Sequence, residues 1–304
     1  MSGVDDGPMR QETPIATPLV MPMQHVLQIL DLTQTGELAF SGASIVTPWN
    51  RVFGGQVIAQ ALVAAHRTVQ ANLHVHSLHA YFILAGDCHL PIDYAVDPIR
   101  DGRSFATRRV VASQNGRAIF ALSCSFQVNE DGLEHQFSMP DVALPETLMS
   151  DFELVKAFGA HLPEAVQRAW GRERPIEFKP VLLAHFISNE KLPPVQRIWM
   201  RGKGEIPKDA ALQTALLAYF SDMTLLDSAL YAHGRSIFDS TMQVASLDHA
   251  MWFHGPVDLS EWHLYDQDSP WTGGARGLTR GQIFARDGRL VASVAQEGLM
   301  RERR

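Results

Sequence analysis

The chain has 304 residues, 46% of them hydrophobic, and a formal net charge of −7. This size and composition suit one large or two ordinary domains with a real apolar core. The acidic balance argues against a nucleic-acid binder, which needs a basic face, and no apolar run is long enough to span a membrane.

Residues 1–22 hold prolines, glycines and scattered charge, so a flexible N-terminal tail is expected there, with neither the order of a signal peptide nor a packed element. GGQVIAQALVAAHRTV predicts an amphipathic helix over 54–69. Strand-like runs follow: HSLHAYFIL, PIDYAVDPI, FATRRVVASQNG and RAIFALSCSFQV. The Asn115-Gly116 pair between the last two is a hairpin turn signal. Residues 131–174 begin polar and proline-containing and then turn amphipathic, which predicts a linker carrying surface helices.

The second half repeats the plan of the first. A helix is predicted from Ala210 to Leu230, then strands in MQVASLDHAMWFH, GLTRGQIFARDG and RLVASVAQEGLM, with Asp287-Gly288 at the last hairpin turn. Three echoes occur in the same order in both halves. Gln56-Val-Ile-Ala-Gln-Ala-Leu resembles Gln213-Thr-Ala-Leu-Leu-Ala-Tyr. Ser77-Leu-His-Ala-Tyr-Phe resembles Ser246-Leu-Asp-His-Ala-Met-Trp-Phe. Asn-Gly-Arg-Ala-Ile-Phe resembles Asp-Gly-Arg-Leu-Val-Ala. The expected organisation is an N-terminal unit over 23–130, a linker over 131–174 and a C-terminal unit over 175–304. Each unit would be one long helix wrapped by a curved antiparallel sheet, because near-continuously apolar helices must be covered.

One residue does not fit a plain core. On a helical wheel, the polar residues of 209–230 share one arc of roughly 140° and Asp222 falls opposite it. Its neighbours three and four away are Ala218, Tyr219, Leu225 and Leu226. A carboxylate on such a face is costly unless it is paired or used.

The stretches RVFGGQVIAQAL, DGRSFATRRVVASQNG, SDMTLLDSAL, SLDHAMWFHGPVDLSEWHLYD, ARGLTRGQIFARDGRLVAS and QEGLMR together resemble the type II acyl-CoA thioesterases, which are double-hotdog enzymes of α+β class. The resemblance covers residues 25–130 and 175–304. It implies hydrolysis of fatty acyl-CoA to free acid and CoA without cofactor or metal. It also implies a water positioned by Asp222, Ser246 (many members carry Thr there) and Gln296. Aligning Gln56 with Gln213 puts Ala65 where Asp222 stands, so one site per chain is expected, carried by the second unit. A cytoplasmic homo-oligomer, dimeric or tetrameric, is the accompanying expectation. The two cysteines, Cys88 and Cys124, and a C-terminus that is no peroxisomal address agree with that location.

Other readings compete. Ser246 and His249 could make a nucleophilic pair with Asp222 or Asp248, but no G-x-S-x-G elbow occurs. His74, His76 and His79 hint at metal, yet on a strand His79 points away from the other two. Arg103, Arg108 and Arg109 could meet CoA phosphates or be plain strand arginines. The Gly54-Gly55 pair could donate N–H groups to an anion or a thioester oxygen. A hydratase or dehydratase on the same fold would place an Asp–His pair near the active helix, whereas the residue five after Asp222 is Asp227. A non-catalytic acyl-CoA binder is the rival outside enzymes.

Overall fold

The computed structural model of the chain describes residues 22–47, 50–184 and 190–303. The expected tail, Pro22 apart, lies outside the described residues. A short helix α1 (Met23–Leu30) leads into the hairpin β1 (Thr33–Gly36) and β2 (Ala39–Gly42). Helix α2 (Gly54–His66) is followed by the meander β3 (His74–Phe82), β4 (Ile92–Asp101), β5 (Phe105–Gln114) and β6 (Arg117–Gln127). Helices α3 (Asp151–Phe158) and α4 (Glu164–Trp170) come next. Then come β7 (Ile176–Pro180), β8 (Val195–Gly202), helices α5 (Ala210–Ser221) and α6 (Asp227–Tyr231), and strands β9 (Met242–Ser246), β10 (Asp248–Phe253), β11 (His263–Gly273), β12 (Arg276–Ala285) and β13 (Leu290–Glu302).

The described strands form one antiparallel sheet in the order β1-β2-β4-β5-β6-β3-β10-β13-β12-β11-β8-β7, with β9 also on β13. Asn115 and Gly116 both take positive φ, 50° and 74°, so the β5–β6 hairpin closes through a primed turn whose twist matches the strands. The two halves join at β3–β10, where Met251 faces Leu78 and His249 faces Ala80. These are the echoed segments, and their antiparallel meeting is the geometry a two-fold duplication requires. The result is the double hotdog: two central helices, each enclosed by half of a continuous sheet. The short α1, the hairpin β1–β2 and the strands β7, β8 and β11 carried no distinct signal in the sequence.

Helices α2 and α5 pack against each other in the core, which explains their nearly featureless apolarity. Ile58, Ala61, Ala64, Leu216, Ala218 and Phe220 are all essentially inaccessible. The polar arc read over 209–230 is no water-facing stripe, since Gln213 and Ser221 of α5 and Ser228 of α6 are buried too. Each is satisfied locally: Gln213 donates to Pro207 O (2.9 Å) and accepts from Leu259 N (2.9 Å), and Ser228 donates to Leu225 O (3.1 Å). Gln56 of α2 does the same work, donating to Ala43 O (3.3 Å) and accepting from Ile45 N (3.1 Å).

One expectation is corrected. The single helix read over 210–230 ends at Ser221, with Asp222 as its C-cap (φ −84°, ψ −2°), and resumes at Asp227. Met223 N–H turns back to Phe220 O (3.1 Å), and the Ser221 side chain bonds outside the helical ladder. Polar side chains that hydrogen-bond near their own backbone favour such breaks. Asp222 therefore occupies a helix end rather than a helix face.

The N-terminus of α2 approaches that same end closely. A Cβ at Gly55 would lie 2.3 Å from Tyr219 O, and one at Gly54 would lie 2.5 Å from Asp222 Oδ2. Only glycine permits this approach. Gly55→Ala should force the two helices apart and lower stability by more than about 2 kcal/mol, measured by denaturant unfolding; an unchanged midpoint would refute the contact.

Candidate active site

Asp222, Ser246 and Gln296, far apart in sequence, meet at one point. The Gln296 amide nitrogen donates to Asp222 Oδ1 (2.9 Å) and to Ser246 Oγ (2.6 Å), and the Ser246 hydroxyl donates to Asp222 Oδ1 (3.2 Å). The Gly55 N–H of α2 also bonds the carboxylate. Helix α2 has Phe53 at its N-cap and no side-chain cap, so Asp222 takes that place at Gly55 N–H while Gln56 N–H turns back to Phe53 O (3.1 Å). Burial raises the Asp222 carboxyl from its ordinary value, against the opposing pull of nearby His249 and of the hydrogen bonds from Gln296, Ser246 and Gly55.

Strand irregularity gathers the second-half residues. Ser246 ends β9 opposite Gly298, and β10 resumes at Asp248, with Ala250 opposite Ala295. Both segments lie along β13, and the break at Leu247 faces the Gln296 stretch. On a regular strand, Ser246 and His249 would point to opposite faces; the break brings both side chains to Gln296. His249, completely buried, places Nδ1 2.8 Å from Gln296 Oε1 and Nε2 2.9 Å from Ser221 Oγ. Tyr265 donates to Ser221 O (3.0 Å), and Thr279 donates to Gln296 O (3.0 Å), fixing both ends of this chain. Sequence reasoning weighed His249 only as a partner for a nucleophilic serine, because its contact with Gln296 depends on the broken strand.

Asp222 and Ser246 open onto a cavity of about 2090 Å³ between the two halves. Gly54, Phe82 and Phe120 wall it from the first half, Met223 and Leu226 from the second, and Arg51, Arg301 and Arg303 contribute cations. Gln296 is not in that wall and stands behind the other two, with both amide hydrogens committed. Ser221, fully buried, is likewise outside the wall, so its pairing with His249 offers no reachable nucleophile.

The remaining candidates disperse. Arg108 is buried, donating to Asp101 Oδ1 (2.6 Å), Thr68 Oγ1 (2.9 Å) and Thr68 O (2.8 Å), so it holds the end of α2 to the sheet and cannot reach a phosphate. Arg103 and Arg109 are exposed and also outside the cavity wall. His76 bonds Ser125 Oγ (2.8 Å), and His79 stacks edge-on against Trp252. Among the described residues, the three-residue group with ligand atoms close together is Asp87, Cys88 and His89, adjacent in one turn. Asp222 and His249 do not touch, since Gln296 lies between them.

Comparison with known proteins places the chain. A family model for acyl-CoA thioesterase matches residues 167–299, and one for the acyl-CoA thioesterase N-terminal domain matches residues 45–127. Acyl-CoA thioesterase 2 of Haemophilus influenzae is 40% identical, over 92% of this chain and 98% of its own length. The chain belongs to the acyl-CoA thioesterase family. Human acyl-coenzyme A thioesterase 8 is also 40% identical, over 91% of this chain and 88% of that protein. The crystal structure of an acyl-CoA thioesterase II from Mycobacterium marinum superposes with a TM-score of 0.76 at 40% identity, covering 91% of this chain and 98% of that one.

A second buried acid borders the same cavity. Burial pushes the Asp227 carboxyl up to about 8. A carboxyl raised on folding stabilises the fold least once it must ionise. Unfolding midpoints should therefore fall as pH rises from about 4 to about 8, between the ordinary aspartate value of 3.8 and the raised one. Asp227→Asn should flatten that slope; a slope unchanged in the variant would assign it elsewhere.

Proposed function

We propose that this acyl-CoA thioesterase family member hydrolyses fatty acyl-CoA to free acid and CoA through a water activated by Asp222. The observation that carries the reading is the desolvated carboxylate in the wall of a large cavity, held by Gln296, Ser246 and Gly55. The aliphatic and aromatic walls suit an acyl chain, and Arg51, Arg301 and Arg303 suit the phosphates of CoA.

Asp222 takes a proton from a water that attacks the thioester carbonyl carbon. Its raised pKa makes it a stronger base than an exposed aspartate. Ser246, on the cavity wall, accepts from Gln296 and orients the water's approach through its remaining lone pair. At the start of α2 the Gly55 N–H is taken by Asp222 and the Gln56 N–H by Phe53 O, so the Gly54 N–H is the first-turn donor offered where the carbonyl oxygen gains charge. Collapse of the tetrahedral adduct expels CoA as thiolate, a good leaving group with a pKa of about 8.5 that needs little help from an acid. The division into units over 23–130 and 175–304, with the machinery on the second, is part of this proposal. So are self-association as a dimer or tetramer and a cytoplasmic setting, the latter suited by two free, buried cysteines.

The test is thiol release from a panel of short to long acyl-CoAs, wild type beside Asp222→Asn. Wild type should turn over, and the variant should lose at least about 10²-fold in kcat while folding normally. Its melting temperature at neutral pH should be equal or higher, since a desolvated charge has been removed. Tight acyl-CoA binding without release by wild type would support a non-catalytic binder. In wild type, kcat/KM should rise with pH through an acid limb above the usual aspartate range, and that limb should vanish in Asp222→Asn.

A further inference from the structure

The geometry points to His249 as a positioning residue: its Nδ1–H locks the Gln296 side-chain amide in the orientation that turns its NH2 group toward Asp222 and Ser246. This inference rests on the hydrolytic reading of the Asp222 site.

The two ends of a glutamine amide are nearly the same shape, and their chemistry decides which way the group faces. Reversed, Gln296 would set its carbonyl oxygen against Asp222 Oδ1, 2.9 Å from the present nitrogen position. Ser246 would lose its donor at the same time. Asp222 enforces the working orientation only while it is ionised. Once it has taken a proton from water, a reversed amide becomes acceptable to it, and the site would have to be rebuilt before the next turnover.

His249 removes that freedom. Gln296 Oε1 can only accept, so Nδ1 carries the proton at their 2.8 Å contact. Burial lowers the His249 pKa, which keeps the ring neutral and leaves Nε2 as an acceptor. The Ser221 hydroxyl has Nε2 and Ala218 O in reach, both at 2.9 Å, and with a neutral ring it goes to Nε2. Serine 221 immediately precedes Asp222, so a closed circuit runs from Ser221 through His249 and Gln296 to Asp222 and back along the backbone. The charged and titratable groups facing His249 are Asp222 and Asp248, and the Asp248 carboxylate is itself occupied by Glu297 N–H (2.7 Å). His249 touches neither cavity nor substrate and acts only through Gln296.

Two substitutions separate this role from simple packing. The Asn side-chain amide reaches the Nδ1 position and can still donate there; the Gln side-chain amide reaches the Nε2 position and cannot. In thiol release from decanoyl-CoA and palmitoyl-CoA, His249→Asn should keep kcat within about fivefold of wild type, while His249→Gln loses about 10²-fold with KM within about threefold. In a Gln296→Ala background, His249→Gln should cost less than about twofold more, because its target is gone. Equal kcat for the two His249 variants at matched melting temperature would overturn the inference, as would a full further loss in the Gln296→Ala background. Should His249→Gln fail to fold, Ser221→Ala gives the decision. Freed from its Nε2 partner the ring can change tautomer, so kcat should fall about tenfold at constant KM, and an unchanged kcat overturns the inference. Absence of thiol release by wild type is a separate outcome that removes the hydrolytic reading itself.

Discussion

The structure depends on one close approach: the uncapped N-terminus of α2 meeting the C-terminal end of α5 at Asp222. A carboxylate at a helix C-terminus faces the negative pole of its own helix. Here the positive pole of another helix is set directly against it, through Gly55 N–H. The approach needs glycine at 54 and 55, since a Cβ at either would strike Asp222 or the Tyr219 carbonyl. It also needs both helices to be apolar on nearly every side, because each is enclosed by sheet and by the other. The amphipathic logic of a surface helix is given up so that two helix ends can meet inside the fold, beside the cavity.

That enclosed position explains why polar residues here occur as a connected set. A buried carboxylate with too few donors would be neutral and useless as a base; one with strong ion-pair partners would be a weak base. Asp222 has three neutral donors, from Gln296, Ser246 and Gly55, and no cation in contact. Its pKa stays raised while its geometry stays fixed. Gln296 is better described as the support of the other two than as a direct contact for water, because both of its amide hydrogens are committed and it lies outside the cavity wall.

The strands and turns with strong local chemistry were legible in the sequence: Asn115-Gly116, the alternating runs of β3 to β6, and the echo between β3 and β10. Asp222 stood out in the sequence by its place opposite the polar arc, but its grouping with Ser246 and Gln296 was expected only through resemblance, since no spacing rule joins a helix end to two strands. The continuity of the 210–230 helix was misread because its apolar pattern continues through the break. At the break the Ser221 hydroxyl meets His249, a contact that periodicity does not register. Arg108 looked like any strand arginine, and only its buried bonds to Thr68 and Asp101 reveal it as a clasp. His249 was visible as a residue but not as a neighbour of Gln296, because the irregularity at Leu247 overrides strand alternation.

The two halves also differ in a way that fits the proposed single site per chain. Antiparallel packing of α2 and α5 creates two meetings of helix ends. At one, the bare first turn of α2 faces Asp222. At the other, α5 begins with Asp209, whose side chain accepts from Leu212 N (2.7 Å) and so caps its own helix. The opposing end of α2 offers Ala65 and His66, and His66 feels the Asp209 charge while burial lowers its pKa. The two ends have thus diverged in complementary ways. Where a helix supplies its own anion at the N-terminus, no carboxylate is set against it from the partner helix; where the cap is missing, Asp222 takes its place. Loss of the Asp209 cap alone would open a second first turn, but with alanine at position 65 no carboxylate would stand beside it, so a single substitution would not produce a second site of the kind proposed at Asp222.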